Sequence, residues 1–138
     1  MAVHNGELDF STRGDADVID ITAAVQRVVG EGGFDEGLAT AFVRGSTAAI
    51  TTMEFEAGGV ADLRALLDRL IPAKGAYEHN ALNGDTNAHS HLRAALIGPS
   101  ETIPIVGGRL GLGTWQQIVL LDFDDRPRER IVSVQVLS

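Results

Sequence analysis

A chain of 138 residues with 44% hydrophobic and 22% charged residues matches ordinary globular usage, which excludes disorder and fibrous classes; it suffices for one domain, residues 1–138, burying about two-thirds of its unfolded surface. Nineteen acidic residues against 11 basic ones give a net charge of −8, a balance that disfavours phosphate-backbone binding and so excludes nucleic acid as a partner. The lack of cysteine excludes disulfides, thiolate zinc and cysteine nucleophiles, so any zinc would need imidazole or carboxylate ligands.

From the N-terminus, MAVHNGELDF has neither the basic start nor the apolar stretch of a signal peptide. No later run approaches the roughly 20 apolar residues of a membrane span, so no membrane partner and a cytoplasmic address are expected. Glu7–Ser11 and Val18–Ile21 read as short strands. Thr22–Val29 has helical spacing, with Thr22 or Asp20 as cap and Gly30, Gly32 and Gly33 as the stop. Leu38–Val43 and Ala48–Phe55, rich in Thr and in branched or aromatic residues, read as two strands paired like a hairpin around Arg44-Gly45.

Apolar residues at Val60, Leu63, Leu66, Leu67 and Leu70 predict an amphipathic helix closed near Pro72. An irregular stretch carrying Tyr77, His79, Asn83-Gly84-Asp85 and Asn87 follows. HLRAALIG then predicts a short buried helix with Ser90 as a plausible cap and Gly98-Pro99 as its stop. Strands are expected over Glu101–Val106, Thr114–Phe123 and the final RIVSVQVL, with DFDDRPRER as a solvated turn. Strands and about three helices without strict alternation indicate an α+β fold with a mixed or antiparallel sheet.

Three of the four histidines, His79, His89 and His91, fall within thirteen residues. Residues two apart share a face in a strand but diverge by roughly 200° in a helix, so His89 and His91 can meet on one ligand only where the backbone is extended. Three readings stay open on spacing alone: a metal site of three imidazoles with Asp85 or Asn87 behind them, a proton-transfer or substrate-binding site, and surface polarity. In RGSTAAI, backbone N–H groups near Gly45 with Ser46 and Thr47 can hold an anion, although a tight turn explains the same residues. GGRLGLGTWQQ lacks dinucleotide-binding glycine spacing. It reads as a turn into a core strand, with Trp115 either in the core or, with Gln116, lining a pocket.

Taken in order, STAAI, Asp62-Leu63, Pro72, Tyr77-x-His79, Asn87 with His91, GPS, IP, GRLGLGTWQQI and the late FD…R turn resemble the YjbQ family, also called the secondary thiamine-phosphate synthase family. The likeness runs from about Leu38 to the C-terminus. The family pattern HTTAA has a histidine where this chain has Gly45, and His89 is additional here, so His89 is expected to replace the lost ligand. The resemblance implies an α+β homotrimer with its histidine site near a subunit boundary. It also implies joining of a pyrimidine pyrophosphate to a thiazole phosphate, with His79 and His91 catalytic. Under that reading Ser46, Thr47, Asn87, Arg93, Arg109, Trp115 and Gln116 bind a small phosphorylated substrate, and zinc or magnesium sits on His79, His89 and His91. Two alternatives accompany it: a metal-dependent hydrolase with Glu54 or Asp62 as base, and a non-catalytic trimeric binder of a small phosphorylated ligand.

Overall fold

Period-two alternation governs most of this chain, and the computed structural model, which describes residues 1–138, turns it into two antiparallel sheets with four helices. In order, the elements are β1 (Val3–Thr12), β2 (Asp17–Asp20), α1 (Thr22–Gly32), β3 (Glu36–Val43), β4 (Ala48–Met53), α2 (Ala57–Leu70), α3 (Glu78–Asn83), α4 (Ala88–Ile97), β5 (Ser100–Val106), β6 (Arg109–Leu110), β7 (Gln117–Asp122) and β8 (Arg128–Leu137). One sheet has the order β1-β8-β3-β5-β6 and the other β2-β7-β4. Every ladder is antiparallel. The expected α+β class holds.

The central strand β7 explains the layering. Its residues IVLL are fully buried, and they split by parity. Ile118 and Leu120 join the larger core, which holds Val132, Val134 and Val136 of β8 and Val25, Val28 and Val29 of α1. Val119 and Leu121 join a second core with Val60 and Leu67 of α2 and Ala94 of α4. The three-stranded sheet is therefore covered on both faces, by the larger sheet and by a helical layer, which is why β7 reads as a continuous apolar run rather than an alternating one. No helix is long and apolar enough to cross a membrane.

Several expectations are corrected. β3 and β4 do not pair: β3 lies between β5 and β8, whereas β4 pairs with β7 in the other sheet. The chain passes between layers at Arg44–Thr47, so the apolar face of each strand meets the same core from opposite sides. The helix read from Val60 begins at Ala57, where the Glu56 carboxylate accepts from the N–H groups of Gly58 and Gly59; those bonds hold its pKa low. At α1 the cap is Ile21, although Asp20 Oδ1 still accepts from the Thr22 N–H at 3.0 Å, and Gly33 ends the helix in the left-handed region. The irregular stretch before α4 contains the short helix α3, making four helices rather than three. α4 starts after Asn87 rather than Ser90, a difference that decides the fate of the histidines.

Candidate functional site

A cap at Asn87 makes both His89 and His91 helical, so their side chains leave α4 on nearly opposite sides. His91 faces α3, and its ring centroid lies 4.9 Å from that of His79, with 46° between the planes. His89 turns inward instead. It is 5% exposed, its Nε2 lies 3.4 Å from Ser90 Oγ, and its Nδ1 has no partner. Burial, seconded by the Arg93 charge, lowers the His89 pKa against the opposing pull of Asp125, Asp15 and Asp124.

The expected three-histidine metal centre is therefore corrected. No three His, Asp or Glu side chains gather in an arrangement able to hold an ion, because helical geometry separates His89 from the other two. Within one chain the donor set is the two imidazoles of His79 and His91, short of the three protein ligands that a catalytic zinc uses. Nor does His89 take the place of the imidazole that the family pattern has at position 45. An ideal Cβ on Gly45 would lie 2.7 Å from Arg130 Nη1, so a guanidinium borders the space where that side chain would begin.

Two hollows of about 400 Å³ each meet at His91. One is lined by Gly45, Ser46, Ala48, His91 and Pro99 among others, the other by Tyr77, Glu78, His79, Ala88, His91 and Leu92 with Ala76. Tyr77 is fixed at the lip by its hydroxyl, which donates to the Pro72 carbonyl at 2.6 Å. Asn80 links the two helices: its Oδ1 lies 3.0 Å from His79 Nδ1 and accepts from the Ala88 N–H at 3.0 Å. The site thus has two imidazoles in contact, a nearby hydroxyl on Ser46, and an apolar wall.

The remaining predicted residues lie elsewhere. Thr47 is buried, receiving Arg130 Nη2 at 2.7 Å on its hydroxyl, which reaches Asp124 at 3.4 Å. Asn87 is buried too, donating to Asp124 at 3.3 Å. Arg93 spends Nε and Nη2 on the Ile71 carbonyl and Nη2 on Asp68, fastening α4 to the end of α2. Arg109 and Gln116 line a separate groove with Asp20 and Gln26. Glu54 and Asp62 are exposed and border neither histidine hollow. Trp115, read as core or pocket wall, is 73% exposed, since the strand it was assigned to begins only at Gln117.

DFDDRPRER is the largest departure from expectation. Asp122 and Asp124 are fully buried and Arg130 nearly so. Arg130 grips Asp122 through Nε at 2.7 Å and Nη2 at 2.8 Å. The Thr12 hydroxyl donates to the same carboxylate at 2.5 Å, and Arg128 Nε reaches Asp124 at 2.6 Å. Burial alone would raise both carboxyl pKa values. The hydrogen bonds prevail, lowering Asp122 and holding Asp124 at about 2. The signal was in the alternation of RIVSVQVL: Arg130 has the parity of Val132, Val134 and Val136, so it points into the core.

Comparison with known proteins places these features in a group. Residues 6–138 match the family model described as UPF0047 protein YjbQ-like. A UPF0047 protein of Methanothermobacter thermautotrophicus is 40% identical over 136 residues, covering 99% of this chain and 93% of the relative. Another from Archaeoglobus fulgidus is 38% identical over 131 residues, 95% of this chain and 99% of the relative. Among solved structures, a YbjQ-like protein of unknown function from Sulfolobus solfataricus superposes with a TM-score of 0.94 at 33% identity, covering 99% of this chain and 98% of the other. These relatives overturn the expected thiamine-phosphate synthase activity: they bear a family designation and, in the solved case, an unknown function. Transferase and metal-binding assignments fall with it, and neither the metal hydrolase nor the phosphorylated-ligand binder gains support.

Proposed function

Since the chain belongs to the UPF0047 family of YjbQ-like proteins, whose designation carries no reaction, we propose from the site alone that it performs acid–base proton transfer on a small polar molecule. The observation that carries this reading is the contact of the His79 and His91 rings, with centroids 4.9 Å apart. Two touching imidazoles let one ring give a proton while the other accepts one, a division of labour that a single side chain lacks. His91 borders both hollows, so a molecule lying across them would meet both rings. The Ser46 hydroxyl at the far wall supplies a donor or acceptor for orienting it.

The test incubates the purified protein in D2O with a pool of small metabolite-class molecules and follows composition and deuterium uptake by mass spectrometry, beside His79→Gln and His91→Gln. Both variants are expected to keep the wild-type melting temperature within a few degrees, because neither ring belongs to the buried cores. At least one compound should be converted or labelled by wild type and lose 100-fold or more of that rate in each variant, the usual scale for removing an acid or base. Conversion that survives either substitution, or none in wild type, removes the reading.

The same proposal includes assembly as a homotrimer. Leu92 lines the histidine hollow at 48% exposure, and Leu96 lies one turn further along α4 at 65%. Together they offer apolar surface beside the site that a second copy would cover.

A further inference from the structure

Asn80 is bound in a way that decides more than the packing of α3 against α4. Its Oδ1 atom has two neighbours at 3.0 Å, the Ala88 backbone N–H and His79 Nδ1. A backbone N–H can only donate, so the amide atom between them must be the oxygen, with no freedom to exchange with the nitrogen. An amide oxygen in turn only accepts. His79 Nδ1 therefore carries the hydrogen, and the lone pair of the neutral ring resides on Nε2. Nε2 has no hydrogen-bond partner within the protein and is not sealed from its surroundings, while His79 lines the hollow shared with His91.

We infer that Asn80 is a positioning residue that locks His79 in the Nδ1–H tautomer, presenting Nε2 as the base of the proton-transfer pair. The inference rests on the acid–base reading for its meaning in catalysis, but the tautomer itself does not. Asn80 touches no substrate in this scheme. Its leverage comes from the start of α4: the Ala88 N–H is one of the helix-terminal donors with no intrahelical partner, and satisfying it pins Oδ1 where the adjacent imidazole must donate. The hydrogen bond made by one ring nitrogen selects the role of the other. The reaction polarity follows: His79 takes a proton at Nε2 and becomes the imidazolium, His91, entering as the imidazolium across the ring contact, gives one and becomes neutral, and proton exchange with solvent restores both rings.

The experiment reads the tautomer directly. Two-bond proton–nitrogen correlation spectra of uniformly 15N-labelled protein are recorded at a pH where the imidazoles are neutral, for wild type, Asn80→Ala and Asn80→Asp. Wild-type His79 is expected to show Nδ1 at the protonated, pyrrole-type end of the nitrogen range and Nε2 at the pyridine-type end. Asn80→Ala should move both signals toward the reverse assignment, the form favoured by free histidine side chains. Asn80→Asp, whose carboxylate oxygen can accept both bonds, should restore the wild-type pattern. A pyrrole-type Nε2 in wild type overturns the inference, and so does an Asn80→Ala spectrum unchanged from wild type. Should Asn80→Ala fail to fold, the wild-type and Asn80→Asp spectra decide alone. A locked tautomer alongside no loss of conversion in His79→Gln would keep the role of Asn80 and remove the acid–base reading; conversion lost in His79→Gln with the opposite tautomer would do the reverse.

Discussion

Asp124 illustrates how a single side chain here couples charge to folding. Its carboxylate is 1% exposed, and burial would raise its pKa, yet Arg128, Asn87 and the Asp125 N–H hold it at about 2 against an ordinary 3.8. The unfolded chain thus binds a proton at this position before the folded one does, so stability falls as pH drops from about 4 to about 2. The loss is on the order of 1–2 kcal/mol, because the partner Arg128 is 41% exposed and screened. Asp122 contributes with the same sign. His89, whose imidazolium is disfavoured by burial, acts at higher pH: below about 6.5 the unfolded chain takes up a proton that the folded ring resists. Urea midpoints from pH 8 to about pH 2 should decline in two stages. His89→Gln should remove the upper stage and Asp124→Asn should reduce the lower one.

At the scale of elements, the Asp122 and Arg130 pair ties the end of β7 to the start of β8, strands of different sheets, while Thr12 adds β1 and Thr47 adds the turn into β4. Apolar contacts alone hold two sheets together without fixing their mutual slide; a bidentate guanidinium adds a directional constraint. Replacing one partner leaves a buried charge without its complement. Arg130→Met or Asp122→Asn should each cost about 3–5 kcal/mol in chemical denaturation. The double variant should cost clearly less than the sum, since the two changes remove one shared interaction. Additive losses would show that the ion pair does not join the sheets energetically.

At the scale of the whole molecule, the apolar surface of α4 beside the histidine hollow bears on assembly. Leu92 and Leu96 are exposed in a protein whose charge of −8 otherwise keeps copies apart. Sedimentation of the wild type is expected to give three times the mass of the chain, 14.6 kDa. Leu96→Glu should shift the protein toward the monomer, because a carboxylate on an apolar contact must be desolvated. A monomeric wild type, or a trimer indifferent to this change, would exclude α4 from the interface.

The sequence by itself determined the α+β class and the positions of most strands and of α1 and α2, and it marked His79, His89 and His91 together as site candidates. Each of these depends on local periodicity, capping chemistry or an ordered set of motifs, all of which are properties of neighbouring residues. Tertiary structure alone decided that β3 and β4 belong to different sheets, because strand pairing is settled by which apolar faces must be buried together over long sequence separations. It also decided that His89 faces inward. A cap three residues earlier than Ser90 rotates the ring away from His91, and the stretch AHSHL admits either start. The acidic and basic cluster that spans the junction of β7 and β8 looked solvated because charge is normally exposed. Only the packing of two sheets, which brings Thr12, Thr47, Asp122 and Arg130 within hydrogen-bond reach, makes burying those charges tolerable.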